Sequence, residues 1–262
     1  MKSKCADNIY LFEVEESKSK NLWSLLNLNF MEFLSKTRTV GQFGLPYVVS
    51  KLTTYPDFIA LAREPSKYKF TPKTCVAFYE YDQIFDGIHG LWNAIYFNLE
   101  NQKKLFQYRF EEVKYFIAPD YSLCGDVPLI ENIHRIFRSR IVSIWLTMVL
   151  GKQVIPNITY SNSEFFPYMV EGLEDCEEVA FSTKGLMKHK EALSLAKDAI
   201  QFTVDHLRNL KAIIIYSVCS NDDKVRELFK YASDHGIDLI IPNNTLKSRN
   251  VARSEEGHGK IS

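Results

Sequence analysis

From Cys75 onward, short and nearly continuous apolar runs alternate with longer segments of helical period, and this alternation limits the folds open to the chain. The runs span residues 75–81, 113–118, 153–160, 178–181, 212–217 and 239–242. A strand exposed on one face alternates apolar with polar residues, whereas an unbroken apolar run belongs to a strand covered on both faces. Covered strands joined by long helical crossovers pair in parallel, with right-handed connections. The prediction is an α/β fold. Its parallel sheet has about six or more strands with helical crossovers, either doubly wound or a distorted (β/α) barrel.

Two crossovers are sharply specified. Over residues 191–210 the apolar positions Ala192, Leu195, Ala196, Ala199, Ile200, Val204 and Leu207 form one stripe of helical period. Residues 222–235 make a second helix, closed by Gly236 in a left-handed C-cap. A third helix is predicted over 128–150, opened by Pro128, with Ile130, Ile133, Phe137, Ile141, Ile144, Trp145 and Met148 on its buried face. Before this rhythm begins, a helix is expected at 19–34, and Gly41, Gly44 and Pro46 then break the pattern. Residues 1–70 thus read as a leader subregion packed on a main α/β domain at 71–246. Residues 247–262, almost free of apolar side chains, read as a disordered tail.

Of the 262 residues, 46% are hydrophobic, enough for one large core. Lys plus Arg and Asp plus Glu both total 32, so no overall field draws the chain to nucleic acid or to an anionic membrane. Any phosphate recognition must be local. No stretch is long and apolar enough to span a bilayer, and acidic residues at Asp7, Glu13, Glu15 and Glu16 interrupt any secretory leader. The five cysteines lie at least forty positions apart, so neither a zinc knuckle nor a redox pair is visible. A cytoplasmic location with reduced thiols is expected.

In parallel α/β folds, sites form at the carboxyl ends of strands. Those ends carry Asp82 and Asp86, then Asp120 and Ser122, then Asn157 and Tyr160, and finally Tyr216 and Ser217. Asp82 and Asp120 could together hold a divalent cation such as Mg²⁺ or Mn²⁺, since hard ions favour clustered carboxylates. The same residue types also cap helices and turns. Ser182, Thr183, Lys184 and Gly185, between a strand and a helix, resemble a minimal phosphate cradle, but they lack the spacing of a nucleotide-binding loop and ordinary turn chemistry alone explains them. Arg140 falls inside the buried face of the 128–150 helix, with Arg138 at its edge. A buried guanidinium requires a carboxylate or a ligand anion, and Asp120 or Asp82 is expected to meet it.

Several of these pieces occur together in a known order. Ala118-Pro-Asp-Tyr-Ser122, Pro128, Phe137-Arg-Ser-Arg140, Val154-Ile-Pro-Asn157, Glu171-Gly172 and Ser182-Thr-Lys-Gly185 resemble the bacterial and phage family called domain of unknown function 4417. The resemblance covers roughly residues 45–243 and implies a parallel α/β fold, a bacterial or mobile-element origin and no assigned activity. Two positions depart from the family pattern: Tyr160 stands where Trp is usual, and Tyr216-Ser217 where Tyr-Gly is usual.

Two functions are compatible with these residues. One is an enzyme handling a phosphate-bearing substrate, a nucleotide or a nucleic-acid end. There Asp82 and Asp120 hold metal or act as base, Arg138 and Arg140 neutralise developing charge, and residues 182–185 position the phosphate. The other is a non-catalytic binding protein of a phage or defence system. The reading admits a second copy of the chain as partner and no membrane.

Overall fold

The computed structural model describes residues 22–187 and 189–258. Part of the helix expected at 19–34 lies outside the described residues. Within them, the chain turns at Asn27, which has φ of 55°, before a short helix α1 at Met31–Leu34.

Ten strands appear among the described residues. β1 (Thr39–Val40) and β2 (Leu45–Pro46) form a small antiparallel pair. β3 (Phe58–Leu61), β4 (Thr74–Ala77), β5 (Tyr115–Ile117) and β6 (Gln153–Ile155) form a parallel sheet, flanked on the β3 edge by β10 (Asn243–Asn244). β7 (Glu178–Ser182), β8 (Ala212–Tyr216) and β9 (Asp238–Ile240) form a second parallel sheet.

The strands are thus divided five and three, where the sequence suggests one sheet of six or more, and no barrel is closed. Two prolines account for the division. Pro156 follows β6 and Pro242 separates β9 from β10; each lacks the N–H that would continue a ladder. Across the first break only a bridge joins the sheets, with Ala180 N donating to Pro156 O (2.8 Å) and Ile158 N to Ala180 O (2.9 Å).

Alternate residues of the strands separate into layers. Ile59, Leu61, Cys75, Ala77, Tyr115, Ile117, Ile155, Ala180, Ile214 and Tyr216, drawn from both parallel sheets, meet in one buried cluster. The intervening residues of the first sheet, such as Val76, Phe116 and Val154, pack with Trp92, Ile141, Val142 and Trp145. Those of the second, Val179, Phe181, Ile213 and Ile215, pack with Ala196, Ala199 and Ile200. Both faces are buried, which explains the missing polar alternation.

The remaining helices are α2 (Asp82–Phe85), α3 (Leu91–Tyr96), α4 (Glu100–Phe110), α5 (Leu129–Met148), α6 (Phe166–Val170), α7 (Lys190–His206), α8 (Asp223–Leu228), α9 (Lys230–Asp234) and α10 (Thr245–His258). The expected 128–150 helix is α5. Ile133, Ile141, Ile144 and Trp145 are buried in it, whereas Ile130 and Met148 of the predicted face are exposed at 63% and 46%. The expected 222–235 helix is broken at Phe229 into α8 and α9. Its end is a Schellman cap in which Ile237 N donates to Ala232 O (3.1 Å) and Gly236 N to Ser233 O (3.0 Å).

Two other expectations change. β3, with all four residues buried, lies inside the presumed leader and is hydrogen-bonded between β10 and β4, so a boundary at residue 70 cuts through the sheet. Residues 247–258, expected to be disordered, belong to α10, where Lys247 Nζ pairs with Asp222 and Asn250 Nδ2 donates to Val218 O (2.6 Å). Those contacts are polar, which is why apolar content does not reveal them.

Candidate functional site

The carboxyl ends of β5, β6 and β7 open into one cleft of about 220 Å³. β5 continues through Ala118, whose N–H still donates to Ile155 O (2.9 Å), and Pro119 then stops the ladder. The next residue, Asp120, lies in the cleft. After β6, Pro156 likewise ends pairing and brings Asn157 and Thr159 beside it.

Asp120 is held by two donors. Asn157 Nδ2 reaches its Oδ1 at 2.8 Å and Thr159 Oγ1 reaches the same oxygen at 2.9 Å. Tyr79 OH donates to Asn157 Oδ1 (2.7 Å), which orients the amide with its NH₂ toward the carboxylate. Burial raises the Asp120 carboxyl from 3.8 to about 6. The Asp82 charge adds to the rise, while Thr159, Asn157 and the Lys184 ammonium oppose it. A carboxyl tuned to that range exchanges protons near neutral pH.

Lys184 is exposed, and its Nζ donates to Tyr79 O (2.9 Å), bringing the ammonium back over the end of β4. Ser182 Oγ accepts from Lys184 N (3.2 Å), a local turn that holds this strand end open. On the opposite rim, Asp82 Oδ2 pairs with Arg135 Nη1 at 2.8 Å, while Asp82 Oδ1 accepts from Ser122 N (3.3 Å). Arg135 Nη1 also donates to Ser122 O (3.0 Å).

The cleft brings together Asp120, Ser122, Asn157, Tyr160, Ser182 and Lys184 of the residues singled out in the sequence. Asp82 adjoins it through Ser122. The other candidates point elsewhere. Arg138 Nη2 binds Asp86 Oδ2 at 2.5 Å, and that carboxylate also accepts Tyr121 OH (2.8 Å) and Trp92 N (2.9 Å). Arg138 lies over the rings of Tyr121 and Trp92, so the pair is part of the packed interior. Arg140 meets neither Asp120 nor Asp82; its Nη2 donates to Met169 O (3.0 Å). Thr183 is buried with its N–H on Tyr216 O (2.9 Å), and Gly185 lines a separate groove beyond β8. Tyr216 is fully buried and stacks on Tyr79, ring centroids 4.8 Å apart.

Three contributors escape a reading by motif. Arg135 stands one helical turn before the two arginines that seemed more promising, and Tyr79 and Thr159 look like ordinary strand residues. Thr159 alone leaves a trace, two positions after Asn157, where a polar pair interrupts an apolar run.

Among the described residues, no group of three His, Cys, Asp or Glu side chains is arranged to hold a metal ion. Asp82 and Asp120 are the two carboxylates at the cleft, and Arg135 neutralises the first.

A family profile described as Domain of unknown function (DUF4417) matches residues 37–233. The chain belongs to the DUF4417 family. The match runs from β1 to α9 and includes every residue of the Asp120 cleft. No curated protein and no solved structure matches the chain. No helix among the described residues is long and apolar enough to cross a membrane.

Proposed function

We propose that this DUF4417 protein is a phosphate-handling enzyme that acts on a nucleotide or a nucleic-acid end at the Asp120 cleft. The observation that carries the reading is the Asp120 carboxyl, held at about 6 by burial in a cleft that it shares with the Lys184 ammonium. Asp120 serves as general base toward a water or hydroxyl nucleophile, and Lys184 offsets charge on the phosphoryl oxygens. The Ser122 and Ser182 hydroxyls add donors on either side. Mg²⁺ or Mn²⁺ would come with the substrate's phosphates and keep its waters, which leaves Asp120 free to act as the base.

The test is release of orthophosphate or nucleotide from a panel of nucleoside mono-, di- and triphosphates and 5′-phosphorylated oligonucleotides, with and without Mg²⁺. Turnover with an inflection near pH 6, reduced at least about 100-fold in Asp120→Asn, supports the reading. Turnover undiminished in folded Asp120→Asn and Lys184→Ala rules it out.

A second reading, a non-catalytic binding protein, is favoured by apolar side chains beside the cleft's acidic rim. Tyr81, Ile84 and Ile88 are 80%, 52% and 79% exposed. Grouped apolar exposure of this kind marks contact surfaces. If the surface joins copies of the chain, sedimentation shows concentration-dependent association that Ile84→Glu abolishes; a monomer throughout removes self-association from this reading.

A further inference from the structure

The segment that follows β7 divides two cavities. Ser182, Lys184 and Leu186 line the Asp120 cleft, and the alternate residues Thr183, Gly185 and Met187 line a groove on the other side. The loop after β8, residues 218–221, is also part of the groove's wall, with Lys224 of α8 and Asn250 of α10. The groove therefore lies at the carboxyl ends of two neighbouring parallel strands, where α/β sheets bind ligands. Its volume of about 600 Å³ falls within the roughly 300–1,000 Å³ of small-molecule sites.

The chemistry of the lining selects the ligand. It holds one ammonium, Lys224, and no Asp or Glu. Lys224 Nζ, Ser220 Oγ and Asn221 Nδ2 have no hydrogen-bond or ion-pair partner among the described residues. Asp222 is paired with Lys247, and Asp223 adjoins Lys224 on α8, where consecutive side chains do not face each other. Asn221 Oδ1 accepts from Asp223 N (2.6 Å), so the NH₂ end of the amide is the free one. Thr183 Oγ1 and Asn250 Nδ2, by contrast, are engaged on Tyr216 O (3.4 Å) and Val218 O (2.6 Å) and belong to the frame of the groove. A planar carboxylate is best met by the fork of an arginine, and the lining has none; an ammonium with a hydroxyl and an amide suits the several oxygens of a phosphate. We propose that the groove binds a small phosphorylated molecule, with its phosphate on Lys224, Ser220 and Asn221 and its uncharged part along Val218 and Met187. The site is independent of any reaction at Asp120, and the two linings share no residue.

Cys219, a half-buried thiol in the groove wall, reports occupancy. The full chain is alkylated with iodoacetamide in ribose 5-phosphate, adenosine monophosphate, ribose or acetate at equal ionic strength, and the rate at Cys219 is read by mass spectrometry of its peptide. Each probe is present at about 10 mM, ten times the dissociation constant of a weak, millimolar site. Either phosphate then occupies about nine-tenths of the protein and slows the reaction about 10-fold, whereas ribose and acetate leave it unchanged. Lys224 is exposed and unpaired, so Lys224→Ala folds and loses the protection, while Asp120→Asn keeps it. Equal rates with and without both phosphates overturn the site. Protection that survives Lys224→Ala, that acetate matches, or that disappears in folded Asp120→Asn overturns the assignment of the phosphate to this groove.

Discussion

Asn157 places its amide nitrogen 2.8 Å from Asp120 Oδ1 while its amide oxygen accepts Tyr79 OH at 2.7 Å. A polar chain therefore crosses the carboxyl ends of β4, β6 and β5 and terminates on the one carboxylate of the cleft whose pKa is raised to about 6. Both donors on Asp120 favour its ionised form and hold the pKa below what burial alone would give.

Thr159→Val removes one of those donors with little change in volume. The Asp120 carboxyl should then titrate above its wild-type value, measured by carboxyl ¹³C chemical shift against pH. A value unchanged or lower in Thr159→Val would mean that the hydroxyl does not stabilise the carboxylate.

The same carboxyl links stability to pH. Above about pH 6, Asp120 is ionised in both folded and unfolded chains, and below 3.8 it is protonated in both. Between these values the folded chain keeps a proton that the unfolded chain has released. Its contribution is fully present below 3.8 and is lost as pH rises through about 6. The whole shift corresponds to about 3 kcal/mol, less what solvent at the partly open cleft screens. Asp120→Asn, a neutral isostere, should be more stable than wild type at pH 8 and no more stable at pH 3.5, as read from urea unfolding. Such a gain is the mark of a residue kept for chemistry at a cost in stability.

Asp86 and Arg138 should behave in the opposite way. The Asp86 side chain is fully buried and takes three donors, from Arg138, Tyr121 and Trp92. Arg138→Met leaves that carboxylate unpaired in the interior, at a cost of about 3–5 kcal/mol. The expected outcome is a large fall in the unfolding midpoint, and a midpoint within a degree or two of wild type would show that the pair does not hold the interior.

The parallel strands were legible because burial on both faces writes unbroken apolar runs, and β4 to β8 leave that mark, while the edge strand β9 is apolar at Leu239 and Ile240 but only partly buried. β3 carries the same kind of run, Phe58-Ile-Ala-Leu-Ala62, but it sits between Pro56 and Arg63 in a region without the alternation of runs and helices that marks the rest of the chain. The division of the sheets turned on Pro156 and Pro242, whose missing N–H groups interrupt pairing without altering the apolar pattern. At the cleft, strand-end reasoning leads to Asp120, Asn157 and Lys184, because topology alone places them. It could not sort the three arginines of α5. Arg135 and Arg138 share one side of the helix and Arg140 turns to the other, but only the tertiary neighbours give the first to Asp82, the second to Asp86 and the third to a backbone carbonyl.

Two glycines of the family-like motifs should differ in tolerance although their backbones are alike. Gly172 and Gly185 have φ of +80° and +85°, a region that costs an L-residue about 1 kcal/mol or more. A Cβ on Gly185 meets nothing within 4 Å, so Gly185→Ala carries that backbone cost alone. At Gly172 a Cβ would lie 3.0 Å from Pro46 O and 3.2 Å from Val40 Cγ2, on the β1–β2 pair. There Val48 N also donates to Gly172 O (2.9 Å), so the backbone has little freedom to retreat. Gly172→Ala should therefore cost about 2–3 kcal/mol and Gly185→Ala about 1 kcal/mol in urea unfolding. Equal losses would mean that β1–β2 yields to the added methyl group and is not firmly seated against the body of the protein.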